Sequence, residues 1–283
     1  MPGGVGLRPQ DAALAAARRL GIAATEPVLL GDSNNVVVWL RPAPVVAKVA
    51  MGHYPPGRLG LELDVARRLA ARGAPVVPPA PGVPAEVHHS GGFAVTFWAH
   101  EPAGAGPPGP AAVAEALHRL HGALAAYDGP LPSFGDELSE VAGLLRDPAW
   151  APALPRRGRA TLSAALERFG AELRRTGLPD RPLHGSPHAA NVLAAADGGV
   201  RFLDLETACL GPLEWDLAHV GDEAAAAYPV RPEPGALACC RALVSAKTAA
   251  WCWAKYEHPD LRWHARHHLV VVRGLLGAPA SGA

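Results

Sequence analysis

His184-Gly185-Ser186-Pro187-His188-Ala189-Ala190-Asn191, continued by Val192-Leu193, the turn Asp197-Gly198-Gly199 and the strand Arg201-Phe202-Leu203-Asp204-Leu205-Glu206, is the stretch that decides the fold. A polar loop enters one short apolar run, the Asp-Gly-Gly turn reverses the chain, and a second run ends in acid. That hairpin puts Asn191 and Asp204 at adjacent strand ends. Both offer hard oxygen donors, the ligand type that suits Mg²⁺. The competing reading has Asn191 capping a turn and Asp204 in a surface ion pair.

Working outward, residue scarcity marks further positions. Of 26 basic residues only Lys48, Lys247 and Lys255 are lysine, and the asparagines are Asn34, Asn35 and Asn191 alone. In a chain biased toward Ala, Arg, Gly and Pro, a lysine or asparagine that persists carries more information than usual. Lys48 lies at the centre of the apolar run Val45-Val46-Ala47-Lys48-Val49-Ala50. Such a lysine commonly marks an edge strand with its ammonium in solvent. Glu62, in the first turn of the helix that follows, offers the alternative, because a buried ammonium requires an opposite charge.

The remaining pattern is coarse but consistent. Asp11 to Leu20 reads as a helix, Val28 to Leu40 as a hairpin around Asp32-Ser33-Asn34-Asn35, Leu61 to Arg72 as a helix and Phe93 to Trp98 as a strand. Residues 102–110 are Pro, Gly and Ala only, the composition of a linker. This divides the chain into an N-terminal lobe, residues 1–101, and a mostly helical C-terminal lobe, residues 111–283. Helical periodicity covers Ala111 to Leu124, Leu138 to Leu145, Arg159 to Arg175, Pro234 to Tyr256 and Leu261 to Leu276. The expected class is α+β, with an antiparallel sheet and one long helix in the N-terminal lobe.

Composition removes several functions. The chain has 283 residues and a formal charge of zero, so the basic footprint of a nucleic-acid binder is absent. Four cysteines without CxxC spacing favour reduced thiols in a cytoplasmic protein. No signal peptide and no membrane span are expected from the apolar runs. His118 and His121, and the cluster His264, His267 and His268, have no acid at zinc-site spacing and read as surface or packing residues.

From about Leu29 to Ala218 the chain resembles the aminoglycoside phosphotransferase and choline kinase group, small-molecule kinases with a protein-kinase-like fold. The resemblance rests on Gly31-Asp32-Ser33-Asn34-Asn35, Lys48, Glu62, the 184–191 loop, Asp204, and Gly211-Pro212-Leu213-Glu214-Trp215-Asp216-Leu217-Ala218. It implies a bilobal molecule, monomer or homodimer, that uses ATP or GTP with Mg²⁺. Lys48 would anchor the phosphates and Glu62 would orient it. Ser33 and Asn34 would cover the phosphates, Phe97, Trp98 and Ala99 would flank the adenine, and Asn191 and Asp204 would hold the metal. His184 would pack beneath the catalytic loop and Asp216 would brace it. The implied partner is a small-molecule hydroxyl acceptor, with an antibiotic or other secondary metabolite as the expected class.

The chain departs from the group at one position. Where the group carries the aspartate that accepts the proton of the acceptor hydroxyl, this chain carries Ser186, and a neutral serine is not that base. General-base assistance is worth about 10²–10⁴ in rate, whereas phosphoryl transfer depends chiefly on positioning and charge stabilisation. Three readings stand: His188 takes the role, since an imidazole ordinarily titrates near neutral pH; Ser186 only hydrogen-bonds the acceptor; or the chain is a nucleotide-binding pseudokinase or regulatory module. Trp251, Trp253, Tyr256 and Trp263 fall where the group builds its acceptor pocket, and the spacing requires at least one of Trp251 and Trp253 in the core. The acids expected there, Asp222, Glu223, Glu257 and Asp260, are few, so a neutral acceptor is at least as compatible as a polycationic aminoglycoside.

Overall fold

The computed structural model describes residues 8–32, 35–51 and 57–277. In chain order it contains α1 (Pro9–Arg19), β1 (Ala24–Asp32), β2 (Asn35–Pro42), β3 (Val45–Ala50), α2 (Arg58–Ala70), β4 (His88–Ser90) and β5 (Phe93–Ala99). Then come α3 (Pro110–Leu124), α4 (Phe134–Leu145), α5 (Arg156–Arg175), β6 (Arg181–Leu183), β7 (Val192–Ala194), β8 (Val200–Phe202) and β9 (Cys209–Gly211). The last helices are α6 (Leu213–Leu217), α7 (Asp222–Ala227), α8 (Pro234–Ala254) and α9 (Pro259–Gly277). The chain is α+β, as its sequence implies. Ser33 and Asn34 lie outside the described residues.

The chain divides into two compact units. Residues up to Gly129 together with Ser186–Ala208 form the first. Its five-stranded sheet has the order β1-β2-β3-β5-β4, with every neighbouring pair antiparallel. Side-chain alternation sends Val36, Val38, Leu40, Val45, Ala47, Val49, Val95 and Phe97 into one cluster with Ala13, Ala16 and Ala17 of α1. The alanine face lets that helix sit close to the sheet. Lys48, between Ala47 and Val49, necessarily points to the opposite face. Its strand pairs with β2 and β5 on its two sides, so Lys48 occupies an interior strand and the edge-strand reading is overturned.

The β7–β8 ribbon is tied into the same unit by backbone. Phe202, fully buried, donates from its N to Pro75 O at 2.7 Å, and Val77 N donates to Phe202 O at 3.0 Å. Gly104 N donates to Ala194 O at 2.7 Å, beside an Ala103–Ala195 bridge. The Pro/Gly stretch therefore runs alongside β7 inside the first unit. A Cβ on Gly104 would meet Ala195 O at 3.0 Å, so glycine permits this approach.

Residues 130–185 and 209–277 form the second unit. Its core is built from α4, α5, α8 and α9, with Leu145, Leu162, Phe169, Leu243, Ala246 and Leu269 buried together. Helix α4 begins one turn before its hydrophobic period. Ser133 Oγ accepts from Gly135 N at 3.1 Å, and Ser133 N donates to Asp136 Oδ2 at 2.9 Å, a capping box that starts the helix there. Strands β6 and β9 pair, and α6, only five residues long, is buried along its whole length. All four cysteines are free and buried, and no described helix is long and apolar enough to cross a membrane.

On α9 the histidines pack as the sequence implies. His267 stacks on Trp263 at 4.5 Å between ring centroids, while Nδ1 of His268 is buried without a partner. Burial, reinforced by the neighbouring His267 and His264, pushes His268 down to about 4. The unfolded chain protonates this residue near 6.5 and the folded chain does not, so this residue's contribution to stability falls as pH drops from about 6.5 toward 4. His268→Leu is expected to flatten the acid limb of a plot of Tm against pH; an unaltered limb would refute this.

Candidate active site

Lys48 is the centre of a charge cluster within the first unit. Its Nζ donates to Glu62 Oε1 and Oε2 at 3.0 and 2.9 Å, to Asp204 Oδ1 at 2.5 Å and to Glu206 Oε2 at 3.0 Å. Lys48 is 7% exposed and Glu62 2%. Strand β3 supplies the lysine, α2 supplies Glu62, and the chain leaving β8 supplies both remaining acids. Asp204 has φ 62° and ψ 59°, the only left-handed non-glycine residue among the described residues. This conformation costs roughly 1–2 kcal/mol. It turns the chain into the 3-10 turn Leu205–Thr207, and Asp204 and Glu206 both reach Lys48.

Three carboxylates surround one ammonium. Burial works against the charge on Lys48, but Glu62, Asp204 and Glu206 outweigh it and hold the lysine well above its ordinary value. Burial also dominates at Glu62, partly offset by Lys48 and reinforced by the charges of Asp204 and Glu206, and pushes it up to about 8. The three carboxylates thus share the Lys48 ammonium. Among the described residues, this is the group whose His, Cys or carboxylate ligand atoms lie close enough to hold a metal, all within 4.8 Å of one another. Hard carboxylate oxygens gathered this closely fit a dication such as Mg²⁺.

Asn191 stands beside this cluster through the backbone. It ends the 3-10 turn Ala189–Asn191, and its O accepts from Leu203 N, next to Asp204, at 2.9 Å. Its Nδ2 donates to Ser186 O at 3.0 Å, an oxygen that also accepts from His188 N at 2.9 Å. The loop is thereby folded on itself, with Ser186 half-buried and His188 exposed. Asn191 and Asp204 do sit at adjacent ends of β7 and β8.

The residues expected to flank the adenine follow one another at the end of β5. Phe97 lies in the cluster with α1, and its O accepts from Ala80 N at 3.0 Å. Trp98 is buried, its Nε1 donating to Thr96 Oγ1 at 2.9 Å. Ala99 N donates to Pro78 O at 3.0 Å.

In the second unit, the start of the same loop is gripped from α6. Asp216, fully buried, accepts from His184 N at 2.9 Å and from Gly185 N at 2.8 Å. Trp215 Nε1 donates to Gly185 O at 3.0 Å. Gly185 has φ 89°, which favours glycine there. His184 is fully buried. Of the C-terminal aromatics, Trp253 is core and stacks on Tyr256 at 4.3 Å, while half-buried Trp251 meets Trp150 edge-on at 5.3 Å. Trp263 is 63% exposed.

Sequence reasoning did not single out Glu206 as a fourth member of the charge cluster. Its signal was the Asp-x-Glu spacing at the end of β8.

Comparison with known proteins gives the following. The sequence model described as the phosphotransferase enzyme family matches residues 24–264. A choline/ethanolamine kinase family protein from Mesorhizobium loti shares 18% identity at a TM-score of 0.69, covering 95% of each chain. A choline kinase from Streptococcus pneumoniae shares 12% identity at a TM-score of 0.69, covering 92% of this chain and 98% of its own. A spectinomycin phosphotransferase in complex with ADP and spectinomycin shares 14% identity at a TM-score of 0.62, covering 96% of this chain and 95% of its own. At such identities the likeness is one of fold. No curated protein sequence matches.

Proposed function

Because the chain belongs to the phosphotransferase enzyme family, we propose that it transfers the terminal phosphoryl group of ATP or GTP to a hydroxyl of a small molecule. The observation that carries this reading is the Lys48 ammonium held among Glu62, Asp204 and Glu206, drawn from distant parts of the sequence. Lys48 anchors the nucleotide phosphates and Glu62 keeps its ammonium in place. Asp204 and Asn191 hold Mg²⁺, with Glu206 beside them. The ion, when bound, neutralises charge on the phosphates. Residues 1–101 handle the nucleotide, with Ser33 and Asn34 over the phosphates, and residues 111–283 carry the acceptor pocket.

Choline and spectinomycin, named for two of the structural neighbours, are both hydroxylated small molecules. A hydroxylated antibiotic or other secondary metabolite is the acceptor class we assign, with the enzyme working in the cytoplasm as a monomer or homodimer. Ser186 stands where a proton-accepting acid would be, and this position favours the second reading, a nucleotide-binding module with little or no transfer.

Two measurements separate the readings. Calorimetry with ATP and Mg²⁺ is expected to show binding, and mass spectrometry over a panel of hydroxylated antibiotics is expected to show a phosphorylated product. Binding without product across a broad panel would favour the binding module. Within the active reading, exposed His188 is the proton acceptor, so His188→Ala should lower turnover by ~10²-fold or more, against a small effect of Ser186→Ala. Equal small effects would remove His188 from that role.

A further inference from the structure

Lys247 is one of the chain's three lysines and is 6% exposed, on α8, in the second unit. Its ammonium donates to Glu137 Oε2 of α4 at 3.0 Å, lies 3.5 Å from His219 Nε2, and faces the Trp215 ring at 5.0 Å from its centroid. His219 Nδ1 is 2.8 Å from Trp215 O. A carbonyl only accepts, so the proton on His219 sits at Nδ1 and its Nε2 lone pair is turned to Lys247. Trp215 in turn donates its indole N–H to Gly185 O, and Asp216 accepts the two backbone N–H groups of His184 and Gly185. A five-residue helix has too few internal bonds to fix its own place.

From these contacts we infer that Lys247 is a positioning residue: together with His219 it holds Trp215, and through Trp215 it fixes the backbone of Gly185, directly before Ser186. The ammonium is held on α4 by Glu137, acts on α6 through the face of the Trp215 indole, and acts on His219, two residues past α6, through a charged hydrogen bond. A buried ion pair is weak support for stability as such. Here the lysine touches three groups, two of which belong to the segment that carries the loop. The inference rests on the phosphotransferase reading only where it concerns turnover.

The test uses the full chain with ¹⁵N-labelled tryptophan, the Trp215 indole resonance being identified by its loss in Trp215→Phe. The double variant Glu137→Gln with Lys247→Met leaves no buried charge unpaired. In it, solvent exchange of the Trp215 indole N–H is expected to rise ~10-fold or more, at a Tm close to that of the parent. Turnover is expected to fall ~10–100-fold through kcat, with the nucleotide KM unchanged. Lys247→Arg, which keeps a cation over the ring, should recover part of both. His219→Gln leaves both charges in place and is the variant to use should the double variant not fold; faster indole exchange is expected there too. Parent-like indole protection in a folded variant that lacks Lys247, or in His219→Gln, overturns the inference. A parent protein with no turnover on any acceptor sinks the phosphotransferase reading, and the indole exchange still decides the role of Lys247.

Discussion

Replacing Lys48 with methionine is expected to cut phosphoryl transfer by ~10²–10³-fold and to make the fold depend on divalent cations. The ammonium is in direct contact with Glu62, Asp204 and Glu206. Breaking a buried ion pair by removing one partner costs about 3–5 kcal/mol, because the other charge stays behind in a poor solvent. Here three acids stay behind, and a dication or added protons can relieve them. The variant should therefore melt earlier than the parent without Mg²⁺ and gain more Tm than the parent when Mg²⁺ or a lower pH is supplied. Thermal melts across Mg²⁺ concentrations, with ATP turnover alongside, check both halves. Parent-like turnover together with a Mg²⁺-independent Tm would show that Lys48 neither anchors phosphate nor balances the acids.

Asp204→Asn is expected to lower turnover by ~10²-fold or more, and to do so without harming the fold. Asparagine tolerates the left-handed conformation that Asp204 adopts, so the turn survives. One of the three carboxylates in contact with Lys48 is neutralised. Glu62, which the charge on Asp204 helps to push up, should relax downward. The signature is an unchanged or higher Tm with nearly abolished turnover, the exchange of stability for activity that a site built to hold a dication implies. A variant that keeps parent turnover would remove Asp204 from the metal-binding role.

Much of this site could be read from the sequence, because its members are rare types in a biased composition and follow one another in a fixed order. Lys48 and Glu62 were readable as a strand lysine and a helix acid, and Asn191 and Asp204 as the two ends of a hairpin. Glu206 escaped because its inclusion depends on the left-handed turn at Asp204, and nothing in an Asp-Leu-Glu triplet announces that turn. Phe97, Trp98 and Ala99 were read as the strand segment flanking the adenine; that successive strand residues face opposite sides puts Phe97 on the α1 side. The buried relay through Lys247 was invisible: the lysine was rare, but Glu137 and His219 look ordinary, and the three meet only after α4, α6 and α8 have packed. Residues 102–110 show the same limit: Pro and Gly report how freely a segment bends, and the partner that holds it, β7, lies about 90 residues away in the chain.

The return of Ser186–Ala208 to the first unit has a consequence for how the protein is made. When residue 129 leaves the ribosome, the backbone of Pro75 and Val77 still lacks Phe202, and Lys48 has only Glu62 of its three acids. The whole intervening segment, residues 130–185, must be synthesised before those contacts can close. A nascent chain cut short before residue 200 thus carries a first unit with an open seam and without the acids that follow β8. Such fragments should be readily cut by proteases, because the contacts that close the first unit are missing.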